Sequence, residues 1–251
     1  MSIDNLSLIY SLDSSRDLEV FLLIPLLVEL CSVPAVIAII TAQQSLAKND
    51  KCDLLAHLAT IKTSLKDMRV VLKQMFPGCN PEVFYHQHRP LLSGWEGNPS
   101  MPDGLLYEGV SSSPQKFSGG SAAQSSAVQV IDAGLGVSHS GREGKFLVRM
   151  RDYMPPNQAG LISHIAQGPS VRDACLSATK EIQNSYNECL KALELLRTEH
   201  LILVARYITT PSNTNRGEAD HLAEQGTGGT TLATFLKRIR QDTAEMTLTS
   251  E

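Results

Sequence analysis

The sequence predicts an all-α fold, a single large helical domain with long ordered loops. Strand signals are weak, because the chain has few alternating β-branched runs and no Asn-Gly or Asp-Gly hairpin between apolar segments. Helix signals are strong between residues 50 and 76, where apolar side chains recur every three or four positions, as one helical face requires. These side chains are Leu54, Leu58, Ile61, Leu65, Met68, Leu72 and Met75.

Composition limits the class of protein. The 251 residues are 42% apolar and 19% charged, which is ordinary for a globular domain with a full hydrophobic core. The net charge of −4 and the lack of a Lys/Arg cluster with interleaved aromatic residues argue against nucleic-acid binding. The five cysteines are scattered and form no C-x-x-C pair, so we expect no disulfide scaffold, no zinc site and a reducing, cytoplasmic location.

One apolar segment, residues 18–42, is long enough to raise the question of a transmembrane helix. Glu29 lies near its middle, and Pro25 and Pro34 interrupt it. We therefore expect a buried helix that is broken at the prolines, and no membrane span.

Turn residues divide the rest of the chain. Pro77 and Gly78 end the helix that begins near residue 50. A stretch rich in Gly, Pro and Ser, residues 93–120, also contains large aromatic side chains, which indicates an ordered, packed loop. The other segments are short helices at 81–92, 125–136 and 145–156, a long helix at 178–207, a flexible loop at 209–225, a helix from Thr231 and a tail at 242–251.

The long helix carries a histidine in the middle of its apolar stripe. His200 is either a core histidine that donates to a carbonyl or the axial ligand of a haem, presented from a rigid helix to a flat apolar cofactor. Arg197 lies one turn earlier, where it is either a solvated surface side chain or a partner for a haem propionate. The stripe steps by three and four residues and comprises Ile182, Tyr186, Cys189, Leu193, Leu196, His200, Leu203 and Tyr207.

A second basic stretch, "FYHQHR", offers other candidates. His86 and His88 could share a metal in a strand, but in a helix their side chains point in nearly opposite directions. Arg89, beside Phe84 and Tyr85, is either a surface arginine or a clamp that binds a carboxylate next to aromatic rings.

Two Gly-rich loops, Gly119–Ser126 and Gly226–Thr230, each precede the start of a helix. Free backbone N–H groups at such a start suit an anion, but either loop could equally be a flexible linker. Neither matches a P-loop, and the chain has no G-x-S-x-G or H-E-x-x-H motif.

Six stretches occur in an order and spacing that resembles the indoleamine 2,3-dioxygenase family. They are "LSGWEGNP", "DGLLYEGV", "FSGGSAAQSS", "RDYMPP", "LRTEHLILVARYI" and "GTGGT". The resemblance runs from about residue 5 to about residue 243 and is closer to the second vertebrate branch of the family. It implies a haem b enzyme that inserts both atoms of O₂ across the indole C2–C3 bond of L-tryptophan, giving N-formylkynurenine for kynurenine metabolism.

The resemblance also implies roles for single residues. His200 matches the proximal iron ligand, and Arg197, near a propionate, matches the partner of Asp132. Phe84 and Arg89 match distal residues that pack the indole ring and hold the substrate carboxylate.

Two loops line the implied pocket. Ser121 and Ala122 match residues that line the haem pocket beside the substrate, and Thr227 lies in a segment that resembles a mobile loop closing over the substrate. No acid–base residue is expected, because the electron-rich indole is itself the reacting partner of O₂. We expect a monomer whose small-molecule partners are L-tryptophan and O₂.

The chain departs from the family pattern on the distal side. The family carries a small N-terminal helical domain that covers the distal pocket, and we expect this chain to lack it. Val20 and Pro25 stand where the family has a phenylalanine and a serine, and we expect Pro90 to keep the backbone of Arg89 away from the αR region. The alternative is a non-catalytic haem-binding protein, or a signalling protein whose "LLYEGV" segment presents Tyr107 to an SH2 domain.

Overall fold

The computed structural model describes residues 3–48, 53–214 and 232–249. In these ranges the chain forms eight α-helices of six residues or more and no β-strand, so the all-α prediction is confirmed. The helices are α1 (Arg16–Ala47), α2 (Leu54–Leu72), α3 (Ser126–Gly134), α4 (Gly141–Met150), α5 (Pro156–Gln167), α6 (Val171–Leu176), α7 (Lys180–Val204) and α8 (Leu232–Glu245).

Shorter helical turns connect the helices. Between α2 and the long loop lie Met75–Gly78, Pro81–Val83, a π-helical turn Phe84–His88 and a 3-10 turn Arg89–Leu92. The other turns are 3-10 turns at Ile3–Asn5, Ala122–Gln124 and Arg151–Tyr153, and a π-helical turn Ala205–Thr209 followed by Thr210–Thr214.

Helix α1 runs unbroken through both prolines, so the expected break is wrong. Pro25 and Pro34 are exposed on its outer side, where water can bind the carbonyls that a proline leaves without an N–H partner. The helix begins at a clear N-cap, because the Ser15 Oγ accepts a hydrogen bond from the Leu18 N–H at 3.1 Å.

Helix α1 is also long and apolar enough to cross a membrane by length and composition, and 39% of its most apolar window is buried inside the protein. Its inner side packs against α2 and α3, as a core helix does. Its outer side carries a stripe of large apolar side chains that are 38–57% exposed, which we call the outer face of α1. It comprises Leu22, Leu26, Leu30, Val33 and Ile37.

Helix α7 is central to the packing. Helix α2 packs against α1 on one side and α7 on the other, and α7 packs in turn against α8. The predicted stripe of α7 is buried over most of its length: Tyr186, Cys189 and Leu193 are fully buried in the largest apolar cluster, with side chains of α1, α2, α3 and α5.

Two smaller apolar clusters lie beyond this core. The second cluster comprises Val20, Ile24, Leu27, Val71, Met75, Cys79, Phe84, Leu203 and Tyr207. The third cluster comprises Phe146, Met150, Val204, Phe235, Leu236 and Ile239, with Ala123, Leu147, Leu201 and Leu232 packed against it.

Two boundaries lie later in the chain than the sequence indicated: the start of the loop after the long helix and the start of the C-terminal tail. Helical structure continues through the π-helical turn to Thr214, so a flexible loop cannot begin at residue 209. The Tyr207 hydroxyl anchors this turn by donating to the carbonyls of Met75 at 2.7 Å and Cys79 at 2.8 Å. Helix α8 reaches Glu245 and buries Thr243, so the tail does not begin at 242.

The long loop at residues 93–120 is packed, as predicted. The Trp95 Nε1–H donates to the Tyr107 hydroxyl at 2.8 Å, and the Trp95 backbone N–H donates to the Phe117 carbonyl at 2.9 Å. The Ser118 N–H donates to the Tyr153 hydroxyl at 2.9 Å, which ties the loop to the turn after α4. The ordered loop therefore leads through Gly119 and Gly120 into residues 121–124.

Helices α1 and α3 approach closely at Gly134. A Cβ built there would lie 2.5–2.8 Å from three atoms of the Ile39 side chain, which is fully buried. We expect Gly134→Ala to lower the free energy of unfolding by about 1–3 kcal/mol, as overpacking of a close-packed core does. Urea unfolding monitored by far-ultraviolet circular dichroism measures the change.

Gly160, within α5, is the matched control. A Cβ there meets nothing within 4 Å, so Gly160→Ala should raise the free energy of unfolding by about 0.5–1 kcal/mol through helix propensity alone. Changes of the same sign for the two substitutions would contradict this account of the α1–α3 contact.

Candidate functional site

His200 projects from the last third of α7 and is half-buried. Burial, and then the positive charge of Arg197, lower the pKa of its imidazole to about 4. Its ring makes no hydrogen bond or ion pair with the described part of the chain. A neutral imidazole with an uncommitted nitrogen is the form that coordinates a metal ion.

Residues of two different apolar clusters lie one turn after His200 on α7. One turn further along α7, Leu203 belongs to the second cluster, whereas its neighbour Val204 belongs to the third. His200 therefore lies at the boundary between two apolar surfaces contributed by different helices. Such a boundary suits a flat apolar group that has a surface on each side.

Arg197 is almost fully buried and forms an ion pair with both carboxylate oxygens of Asp132 through one of its nitrogens. Its Nη2 lies 2.7 and 2.6 Å from the two carboxylate oxygens of Asp132 on α3, and its Nη1 donates to the Thr243 hydroxyl on α8. Burial alone would raise the pKa of Asp132, but the charge of Arg197 and hydrogen bonds from His139 and Arg197 together hold it below its ordinary value. The solvated reading of Arg197 is therefore wrong.

No sequence pattern indicated that His139, Asp242 and Arg238 belong to this site. His139, in the loop between α3 and α4, lies with its Nδ1 2.8 Å from Asp242 and its Nε2 3.3 Å from Asp132. Arg238, one turn before Asp242 on α8, pairs with the same carboxylate at 2.8 Å. No local pattern could reveal this pairing, because His139 and Asp242 are 103 positions apart.

The Gly-rich loop before α3 is a fixed turn and not a linker. The Ser121 hydroxyl accepts from the Ala123 N–H at 3.3 Å, while the Gln124 side chain accepts from the Ser121 N–H at 3.1 Å, a capping box. Ala123 packs against the third cluster, to which Val204 of α7 also belongs. The loop thereby brings Ser121, half-buried, and Ala122, exposed, to the cluster that adjoins His200.

Phe84 belongs to the second cluster. Its ring centroid lies 4.6 Å from that of Phe21 and 5.8 Å from that of Tyr207, which it meets edge-on. Val20 lies in the same cluster, whereas Pro25 is exposed on the outer side of α1 and takes no part in it. Of these two residues, only Val20 shares the cluster of Phe84.

Arg89 is 2% exposed, so the surface reading of this arginine is wrong. Its guanidinium carbon lies 5.1 Å from the centre of the Tyr85 ring, and burial lowers the pKa of the guanidinium to about 10. A desolvated guanidinium binds a carboxylate strongly, because water does not compete for its donors. The backbone of Arg89 lies in the αR region, with φ −58° and ψ −40°, so the restriction expected from Pro90 is wrong.

The two histidines of "FYHQHR" face different partners. His86 lies 3.4 Å from Glu82 near the surface, whereas the buried His88 lies 3.1 Å from the Ser15 hydroxyl and 3.4 Å from Asp13. Among residues 3–48, 53–214 and 232–249, no three His, Cys, Asp or Glu side chains form a metal-binding group. Thr227 and the Gly226–Thr230 loop lie outside the described residues.

The chain matches the indoleamine 2,3-dioxygenase family over residues 1–246. It is 40% identical to human indoleamine 2,3-dioxygenase 2 over 99% of this chain, and 37% identical to rat indoleamine 2,3-dioxygenase 1 over the same share. It is 33% identical over 96% of its length to a myoglobin of Haliotis madaka. The chain spans 63–64% of the length of these relatives. The match extends over nearly the whole chain, and the chain therefore belongs to the indoleamine 2,3-dioxygenase family.

Proposed function

We propose that this chain is a haem-dependent dioxygenase of tryptophan catabolism, which opens the indole ring of L-tryptophan with O₂ to give N-formylkynurenine. The observation that carries the proposal is the position of His200. It is a neutral imidazole at the boundary of two apolar clusters, one turn after a buried, ion-paired arginine. The family match and the relatives named dioxygenases support the reaction class.

The residues at this site fit haem b. His200 offers one nitrogen ligand, and the second and third clusters offer apolar surfaces for the two sides of a flat ring. The relatives named dioxygenase and myoglobin both support haem as the cofactor. When bound, haem would supply the iron that activates O₂, and His200 would hold it.

Arg197 suits the acidic edge of the cofactor. Two arginines and a doubly paired histidine, His139, share two carboxylates in this region, an excess of one positive charge when the imidazole is protonated. A haem propionate would neutralise that excess. The Arg197 guanidinium would then bind an anion without leaving Asp132.

The distal residues bind and orient the substrate. Phe84 presents an aromatic surface on which an indole ring can pack, and Arg89 presents a buried guanidinium for the amino-acid carboxylate. Ser121 and Ala122 would border both cofactor and substrate, and Thr227 would contact the substrate from the Gly226–Thr230 loop. The chain contributes position and a dry pocket rather than acid–base groups.

The signalling alternative is not favoured. The Tyr107 side chain is half-buried, its hydroxyl accepts a hydrogen bond from Trp95, and its ring lies 5.8 Å from that of Phe117. Phosphorylation would disrupt these contacts, so Tyr107 is a structural residue of the loop. We propose a monomer in the cytoplasm; the free thiols at Cys31, Cys79, Cys175 and Cys189 support the reducing location.

The direct test is turnover. Haem-loaded protein supplied with L-tryptophan, O₂ and a reductant should form N-formylkynurenine, detected by its ultraviolet absorbance and by mass spectrometry. A normal haem spectrum without this product would contradict the dioxygenase and leave a non-catalytic haem protein.

His200→Ala should abolish specific haem binding, because it removes the single proposed iron ligand. The absorption spectrum of haem-loaded protein reports this as the loss of the Soret band of a histidine-ligated haem. His164→Ala, which removes an exposed histidine of α5, is the control and should leave the spectrum unchanged. A His200→Ala protein with the wild-type spectrum would exclude His200 as the ligand.

Arg89→Lys should raise the KM for L-tryptophan about 10- to 100-fold, because the lysine keeps the charge but loses the two-pronged hydrogen bonding to a carboxylate. Tryptamine, which lacks the carboxylate, should bind both proteins equally. This comparison separates a substrate contact from general damage to the fold. Equal weakening of L-tryptophan and tryptamine would contradict the role given to Arg89.

A further inference from the structure

Arg197, one turn before His200, belongs to a group of polar side chains from four parts of the chain, which we call the polar cluster and of which all but that of Arg238 are buried. It comprises Asp132 of α3, His139 of the α3–α4 loop, Arg197 of α7, and Arg238, Asp242 and Thr243 of α8. Asp132 and Arg197 have the roles described above. His139 and Asp242 have no role in the site so far.

Both ring nitrogens of His139 face carboxylates. Nδ1 lies 2.8 Å from an oxygen of Asp242, and Nε2 lies 3.3 Å from an oxygen of Asp132. A carboxylate only accepts hydrogen bonds, so each contact needs a proton on the nitrogen. The imidazolium form, which has a proton on both nitrogens, is the only protonation state of the ring that donates to both carboxylates.

The same contacts join three helices. Asp242 and Thr243 are neighbours on α8, and the Thr243 hydroxyl accepts from Arg197 while donating to the Ile239 carbonyl at 3.0 Å. His139 holds the adjacent Asp242 and, through its other nitrogen, Asp132. The Arg197 guanidinium is thus fixed from α3 by Asp132 and from α8 by Thr243, and His139 ties the two supports together.

We propose that His139 is a positioning residue: its imidazolium, held between Asp132 and Asp242, locks α8 against α3 and so fixes Arg197 one turn before His200. The proposal rests on the proposed function in one respect, namely that Arg197 faces the acidic edge of the haem. The locking of α8 against α3 does not depend on any cofactor.

The charges that face His139 set the pH range in which it acts. They are Asp132 of α3, Arg197 of α7 at 3.5 Å from Nε2, and Asp242 of α8, which Arg238 also contacts. Burial and the positive charge of Arg197 lower the pKa of His139, but the hydrogen bonds to Asp132 and Asp242 and the negative charge of Asp132 outweigh them, so the pKa lies above its ordinary value. Since the folded pKa is raised, the stabilisation is complete below about pH 6.5 and is lost as the pH rises through the folded value.

The first experiment uses the protein without haem. The Tm of wild type should fall as the pH rises from about 6 to about 8.5. His139→Gln keeps a donor of similar reach but carries no titratable charge, so its Tm should be lower at about pH 6 and vary much less over this range. His164→Gln, the same substitution at an exposed histidine, should follow the wild-type profile.

A second variant guards against simple misfolding of the first. Asp242→Asn preserves the shape of the side chain but removes one of the two carboxylates that hold the imidazolium. The pH at which the stabilisation is lost should therefore move to lower values. A pH profile unchanged from wild type in both His139→Gln and Asp242→Asn overturns the proposal.

The second experiment measures haem affinity by titration of the Soret absorbance. We expect His139→Gln to bind haem about tenfold more weakly than wild type at about pH 6, with the same band positions, since His200 remains the ligand. The difference should shrink at about pH 8.5. Equal affinities at the lower pH overturn the positioning role, whereas failure of every variant to bind haem overturns the proposed function and leaves the Tm profiles as the test of His139.

Discussion

The buried ion pair between Arg197 and Asp132 is the interaction on which the geometry of this protein depends. Removing two charges from water is costly, and in a protein interior the cost is offset only when the pair is well aligned and its remaining donors and acceptors are satisfied. Both conditions hold here, because the Arg197 Nη2 contacts both oxygens of Asp132, and Thr243 and His139 satisfy further donors and acceptors of the pair. Removing one partner of such a pair costs about 3–5 kcal/mol, so α3, α7 and α8 are held together by one polar contact as well as by apolar packing.

Helix α7 carries both Arg197 and His200, so the ion pair of Arg197 also fixes the position of His200. Its first two-thirds are locked in the largest apolar cluster by fully buried side chains such as Tyr186 and Leu193. The hydroxyl of Tyr186 donates to the Leu135 carbonyl at 2.5 Å, which ties α7 to the end of α3. A rigid helix then fixes the imidazole relative to the arginine by helical geometry alone, and a functional site built on such an element is held more closely than one built on loops.

Local sequence patterns predicted those parts of the fold that depend on periodicity. The stripe of α7 and the apolar face of α2 repeat every three or four residues, and both are buried as expected. Local patterns gave wrong predictions where a helix depends on water or on residues that are distant in the sequence. The prolines of α1 looked like helix breaks, yet they lie on the exposed side, and the π-helical turn after Val204 lengthens α7 through contacts with Met75 and Cys79.

Local sequence patterns likewise indicated some residues of the site and not others. Periodicity placed His200 on the apolar face of α7. The family resemblance indicated that Arg197, Asp132 and the distal residues belong to the same site. Neither indicated His139, because its loop carries no motif and its partners lie on α3 and α8. The buried state of Arg89 was also beyond local reasoning, since an isolated arginine next to two aromatic residues has the same pattern at a surface.

The outer face of α1 affects how the protein behaves in solution. Five large apolar side chains that are 38–57% exposed along one helix form a surface that water solvates poorly. Salts that are excluded from protein surfaces, such as sulfate and phosphate, strengthen the attraction between such surfaces. The colloidal stability of this chain should therefore fall in those buffers, and chloride at modest ionic strength is the better medium for handling it at high concentration.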